Sequence, residues 1–181
     1  MAITVAVRAT EDLSAAERTR ICDLCNAAND TDAFHDLFVV YVPSGGRHFL
    51  GFDHDGVLAS HAVVTTRWVQ PSGYPPQRTA FVDAVATDPA RQHAGLSTEV
   101  MRRLGRELDD FDLGCLQTDL RGFYERVGWE LWRGPLAGRR DGELVPTPGQ
   151  QGVMVLRLPS TPPLDIDGQL SIEWQPDRFW E

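Results

Sequence analysis

The chain has 181 residues, 42% of them apolar and 24% charged, which fits a single globular domain with a substantial core. Its net charge of −9, with no basic block larger than Arg139-Arg140, argues against a nucleic-acid partner and favours cationic ligands. No apolar run approaches the roughly 18 residues of a membrane span, and Met1-Ala2-Ile3-Thr4-Val5 does not read as a secretory leader, so no membrane partner and a cytoplasmic location are expected.

Residues 3 to 8 alternate and predict a first strand. Ser14-Ala15-Ala16-Glu17 is a capping box, which predicts a helix to about Ala28. On it, Cys22 and Cys25 have redox-pair spacing, but with no second pair at zinc-like spacing they read as small buried filler, and no metal is expected. Asp36 to Val42 fits a helix end or a strand. His48 to Phe52 and Val57 to Trp68 flank the turn Asp53-His54-Asp55-Gly56 and predict a hairpin. A third strand, 78 to 87, follows a short turn, so these strands should run antiparallel. Asp88-Pro89 ends it. Leu96, Val100, Met101, Leu104 and Leu108 mark one face of a helix from about Gly95 to Asp109. Residues 114 to 118 predict a buried strand, Asp119 a helix cap, and Phe123, Tyr124 and Val127 a helix ending at Gly128. Strands are expected at 129–133, 153–158 and 170–174, with a loop over 134–152. The order predicts an α+β fold around a mixed, mostly antiparallel sheet flanked by helices.

The chemically informative stretch is Gln92-His93-Ala94-Gly95-Leu96-Ser97, where a strand gives way to a helix. Small residues allow close approach to the backbone, and a helix start offers unpaired N–H groups and a positive dipole end. Together they suit a pyrophosphate. The pattern is not a P-loop, lacking Gly-Lys-Ser/Thr, nor the dinucleotide fingerprint, whose glycines are spaced differently.

This segment resembles the acetyl-CoA signature of the GCN5-related N-acetyltransferases (GNAT), (Q/R)-x-x-G-x-(G/A), met here by Gln92, Gly95 and, with a serine in the last place, Ser97. Phe123-Tyr124-Glu125-Arg126-Val127-Gly128-Trp129 resembles the superfamily's Y-x-x-x-G-(F/W) block. The resemblance implies a GNAT fold, acetyl-CoA as cosubstrate, pantetheine contacts from Val85, Ala86 and Thr87, and pyrophosphate contacts from Gln92, His93, Ala94, Gly95, Leu96 and Ser97. It further implies Tyr124 as the acid that protonates the leaving thiolate. Asp83, just before the pantetheine residues, is placed to hold and deprotonate an ammonium.

The chain further resembles the aminoglycoside 2′-N-acetyltransferases, through residues 81–87, residues 124–135 with the run Trp129-Glu130-Leu131-Trp132-Arg133-Gly134-Pro135, and an acidic, tryptophan-containing tail over 164–181. That resemblance implies Asp36, Asp83, Thr118, Glu173, Asp177 and Trp180 on the acceptor side, to which Arg178 is added as a residue of this chain's own, with a homodimer plausible from the resemblance and from the five tryptophans. Gln150-Gln151-Gly152 replaces an acidic run of that family and Arg178 enters its acidic tail, which suits a less cationic aminosugar bearing its own carboxylate, such as kasugamycin. The alternatives are a GNAT enzyme for another small amine or a peptide N-terminus, and a non-catalytic acyl-CoA or aminosugar binding module.

Overall fold

The structure, a computed structural model, describes residues 3–41, 45–175 and 180. It has the expected α+β architecture, a mixed and mostly antiparallel sheet flanked by helices. The chain forms two compact units, Met1–Thr65 with Val82–Glu107, and Thr66–Phe81 with Leu108–Glu181.

In the first unit, β1 (Thr4–Ala9), β2 (Arg47–Phe52) and the leading half of β3 (Leu58–Pro71) form antiparallel pairs. The anticipated capping box starts α1 (Ala15–Asn29): Ser14 accepts from the Glu17 amide, and the Glu17 carboxylate accepts from the Ser14 amide at 2.9 Å. Of the stretch 36–42, open between helix and strand from sequence, residues 36–41 belong to α2 (Phe34–Tyr41) and Val42 lies outside the described residues. Ile21, Leu24, Cys25, Phe34, Phe38, Leu50, Val63 and Ala86 form one buried cluster, which gives Cys25 the filler role expected of it. β4 (Gln77–Thr87) leads into α3 (Leu96–Gly105), which buries Leu96, Val100, Met101 and Leu104. A Cβ on Gly51 would lie 2.7 Å from the Val100 side chain, so glycine in β2 is what lets α3 approach. α3 is shorter than the expected run to Asp109. Arg106 and Glu107 donate to carbonyls three residues back, tightening the last turn into 3₁₀ geometry.

In the second unit, the leading half of β4 pairs in parallel with β5 (Leu113–Gln117), and β9 (Val153–Arg157) pairs antiparallel with both β5 and β6 (Glu130–Leu131). The trailing half of β3 pairs with β10 (Leu170–Glu173), which lies parallel to β7 (Leu136–Arg140). β7 and β8 (Glu143–Pro146) form a hairpin inside the segment expected to be a loop. Its turn is Asp141-Gly142, with φ of 53° and 84°. Those two positive angles are what a primed two-residue turn requires. α4 (Arg121–Glu125) begins without a side-chain cap, correcting the role expected of Asp119: it is the Thr118 hydroxyl that accepts from the Leu120 amide, at 3.0 Å.

The run Trp132-Arg133-Gly134-Pro135 has a structural task. The Trp132 indole donates to Gly168 O at 2.9 Å, and Arg133 grips both Asp167 oxygens at 2.7 Å. The amides of Arg133 and Gly134 donate to Ile166 O, and Leu170 donates to Pro135 O. A Cβ on Gly134 would stand 1.8 Å from Gly168 O, so only glycine permits this clasp.

Candidate active site

β4 carries an irregularity where the chemistry was expected. Ala84 has φ +50°, a left-handed conformation that costs a residue with a Cβ about 1–2 kcal/mol. Its carbonyl turns to His61, whose Nδ1 lies 2.8 Å away, and the Cys25 thiol donates to the same oxygen at 3.9 Å. His61 Nε2 meets His48 Nδ1 at 2.9 Å, and His48 Nε2 meets the Thr10 hydroxyl at 3.2 Å. Both imidazoles are fully buried. Burial pushes the His48 pKa down to about 3, helped by the charges of His61 and Arg18, and that of His61 to about 4. Burial also pushes the Cys25 thiol up to about 12, so it is inert as a nucleophile. Asp83, the residue expected to act as base, immediately precedes this turn and is partly buried.

The chain leaves β4 through a braced loop. The Asp88 carboxylate accepts from the Ala90 amide at 2.9 Å and pairs with Arg91, whose Nε donates to Asp53 Oδ2 at 2.6 Å. Asp53 also accepts from the amides of Asp55 and Val57 at 2.9 Å, which ties the loop to the β2–β3 turn. Gln92, His93, Ala94 and Gly95 are exposed, and His93 and Gly95 both have left-handed backbones, φ 66° and 83°. A Cβ on Gly95 would meet nothing within 4 Å, so the space above it is open. The first turn of α3 closes with Glu99 N–H on Gly95 O at 3.0 Å, leaving Leu96, Ser97 and Thr98 as its leading amides.

Ser97, the departure from the GNAT signature, has a local explanation. Ser60 Oγ donates to Ala86 O, the Thr87 hydroxyl lies 3.0 Å from Ser60 Oγ, and Ser97 Oγ lies 2.7 Å from Thr87 Oγ1. With Ser60's single proton committed to Ala86 O, donation runs from Ser97 to Thr87 to Ser60. The serine thus fastens the start of α3 to the end of β4, bringing Thr87 and Ser97 together. Asp36, elsewhere in this unit, is exposed on α2.

In the second unit, Tyr124 on α4 is buried, edge-on to Phe123 and Trp129 with ring centroids 4.9 Å and 6.2 Å away. Burial pushes its phenol up to about 12, so it stays protonated across the physiological range. Thr118 lies just beyond β5 and is partly buried. Glu173 is already engaged: Arg67 Nε donates to Oε1 at 2.9 Å and the Trp68 amide to Oε2 at 2.6 Å, while Arg67 Nη2 donates to Glu173 O at 2.8 Å. The Arg67 side chain is completely buried and stacks on Phe81 at 5.2 Å. Trp180 is buried, whereas Asp177 and Arg178 lie outside the described residues. A cavity of about 560 Å³ opens between the clasp and the segment 146–152, with Arg121, Arg133, Gln150 and Gln151 among its lining and no carboxylate there among the described residues.

Sequence reasoning did not single out His48, His61, Ser60, Arg91 or Arg67 as site-building residues. The available signal was a histidine or arginine inside an otherwise apolar strand. Among the described residues no cluster of three His, Cys, Asp or Glu side chains could hold a metal, and no helix is long and apolar enough to cross a membrane.

Residues 13–129 match the family described as Acetyltransferase (GNAT) family. The YhbS acetyltransferase of Escherichia coli, solved in complex with CoA, is 17% identical, with 95% of this chain and 91% of that one covered at a TM-score of 0.63. ElaA of Escherichia coli is 16% identical over 86% of this chain and 100% of its own, at 0.56. A conserved protein of Enterococcus faecalis V583 is 20% identical over 73% of this chain, at 0.60, and this chain spans only 33% of its length. The chain belongs to the acetyltransferase (GNAT) family, a family of N-acetyltransferases, and has that family's fold.

Proposed function

We propose that this chain acts as a single GNAT domain that transfers the acetyl group of acetyl-CoA to the 2′-amine of an aminoglycoside antibiotic, with kasugamycin the favoured acceptor. The observation that carries the acetyl-CoA part is the loop from Gln92 to Ser97. Two left-handed residues, open space above Gly95 and the leading amides of a ten-residue helix suit a diphosphate. Acetyl-CoA supplies the acyl group as an activated thioester. Val85, Ala86 and Thr87 would hold the pantetheine arm by their backbone. Asp83 would take the proton of the incoming ammonium, and backbone N–H groups of β4 would stabilise the oxyanion. Tyr124 would donate toward the leaving sulfur. A phenol near 12 is a weaker acid than a thiol near 8.5, so its main contribution is a hydrogen bond that strengthens as thiolate charge develops.

The acceptor reading rests on the resemblance to the aminoglycoside 2′-N-acetyltransferases. Two features of the second unit favour a weakly cationic aminosugar within that class. Glu173 already faces a buried guanidinium, so it offers a second cation less than a free carboxylate would. The cavity beside Gln150 and Gln151 also carries Arg121, a set suited to hydroxyls and a carboxylate, while its Arg133 is already held by Asp167. Asp36, Thr118, Asp177, Arg178 and Trp180 complete the acceptor-side assignment. We extend the proposal to a cytoplasmic homodimer, which light scattering would test; Trp68 and Trp174, 46% and 39% exposed, offer apolar surface for it.

The deciding experiment is a thiol-release assay with acetyl-CoA and a panel of kasugamycin, gentamicin, tobramycin, small amines and peptide N-termini, with mass spectrometry of the products. Turnover favouring kasugamycin, with one acetyl on its amine, is expected. Preference for the polyamine drugs would remove the kasugamycin assignment. Calorimetric binding of acetyl-CoA without turnover of any amine would indicate a binding module instead.

A further inference from the structure

We infer that His61, braced by His48 and Thr10, is a positioning residue that aims the Val85 amide of β4 at the thioester carbonyl; this rests on the acetyl-CoA reading above. The peptide between Ala84 and Val85 sets the direction of that amide. In a planar trans peptide the C=O and the next N–H point in opposite directions, and among the described residues no peptide is cis. Holding Ala84 O toward the buried His61 therefore turns Val85 N–H the other way, off the face that carries His61.

Ala84 would not keep that orientation unaided. Its φ of +50° is disfavoured for any residue with a Cβ, and β4 offers no glycine there. His61 Nδ1, at 2.8 Å, supplies a donor that the ordinary strand geometry would not use.

The direction of that donor is fixed by what lies behind it. A carbonyl can only accept, so His61 carries its proton on Nδ1 and presents a lone pair at Nε2. His48 must then donate from Nδ1, across 2.9 Å, and accept at Nε2 from the Thr10 hydroxyl at 3.2 Å, whose other acceptor at 3.2 Å, Gly46 O, already takes the Thr10 amide at 2.9 Å. Each ring thus sets the tautomer of the next, and two fully buried imidazoles are satisfied without charge. Residues from β1–α1, β2 and β3 converge on one carbonyl of β4.

The test uses four variants of the full chain: His61→Leu, His61→Asn, Ala84→Gly and the double His61→Leu/Ala84→Gly. Asparagine keeps a donor near the position of Nδ1; leucine removes it; glycine takes a positive φ without cost. Three quantities are read: the ¹H–¹⁵N shifts of Ala84 and Val85, the Kd for CoA by calorimetry, and kcat and KM for acetyl-CoA with the best acceptor of the panel. His61→Leu should move both amide signals and lower kcat by about 10- to 100-fold, the scale of a small misplacement at a reacting centre, with Kd for CoA within about twofold. His61→Asn and the double variant should both recover most of the loss. Rescue by a glycine at position 84, which restores none of the packing of His61, is an outcome that a merely structural histidine would not produce.

If His61→Leu keeps the wild-type amide shifts and kcat, or if the double variant is as slow as His61→Leu, the inference is overturned. Should His61→Leu not fold, His61→Gln takes its place, because it can still meet His48 but presents its amide differently to Ala84 O. A wild-type chain that binds no CoA would defeat the underlying reading, while the amide shifts still decide whether His61 sets the Ala84 turn.

Discussion

Tyr124 shows how burial and chemistry are linked at a single residue. Its ring lies between Phe123 and Trp129, so removing only the hydroxyl leaves that packing in place. Tyr124→Phe should therefore keep the fold and its melting temperature within a few degrees while slowing thiol release by roughly 10²–10³. Full turnover in that variant would take the tyrosine out of the reaction. Arg67 is the opposite case, a charge with a structural task. Glu173→Gln would leave a buried guanidinium facing a neutral amide, and breaking such a pair costs about 3–5 kcal/mol. Urea unfolding would show that loss as a lower midpoint with an unchanged slope.

At the scale of elements, local chemistry decided what could be read from the sequence. The capping box at Ser14 and the face Leu96, Val100, Met101 and Leu104 were legible because each rests on residues within one or two turns. Ser14→Ala should cost about 1 kcal/mol, seen as a lower melting temperature with no change in acetyl-CoA affinity. The β7–β8 hairpin was obscured by the Gly, Pro and charge content of 134–152, although Asp141-Gly142 is itself a hairpin signal. The histidine pair was hidden for a different reason. His61 lies opposite Leu50 and His48 opposite Val63, so the two rings are diagonal neighbours across β2 and β3. That relation follows only from the register, which is altered by a bulge at Gly51/Phe52 that no residue pattern announces. Likewise, Trp132 to Pro135 stood out as a motif, but its role in gripping residues 166–170 depended on contacts distant in sequence.

For the molecule as a whole, the buried histidines couple folding to pH. Their folded pKa values, about 3 for His48 and about 4 for His61, lie below the ordinary 6.5, so the unfolded chain binds protons that the folded chain refuses. Their contribution is complete above about pH 6.5 and falls as the solution is acidified toward pH 4, by up to about tenfold in the folding constant per proton per pH unit. Carboxylates held low by hydrogen bonds, Asp53 by Val57 and Asp167 by Arg133, weaken the fold only at more acid pH. Melting temperature should therefore drop between pH 6.5 and 4.5, and His61→Asn should flatten that slope; equal slopes in both chains would contradict the assignment. The family itself was legible from two short blocks, and its match over residues 13–129 ends where the clasp region begins.

That clasp also bears on the order in which the polypeptide acquires its structure. β7 and β10 run side by side in the same direction although about thirty residues separate them, so their union must wait for a long excursion of chain to return. Contact of Gly134 with Gly168 is where that return is registered. If it forms early, Gly134→Ala will slow refolding in stopped-flow experiments more than it hastens unfolding, marking the strand junction as part of the nucleus from which the C-terminal sheet grows.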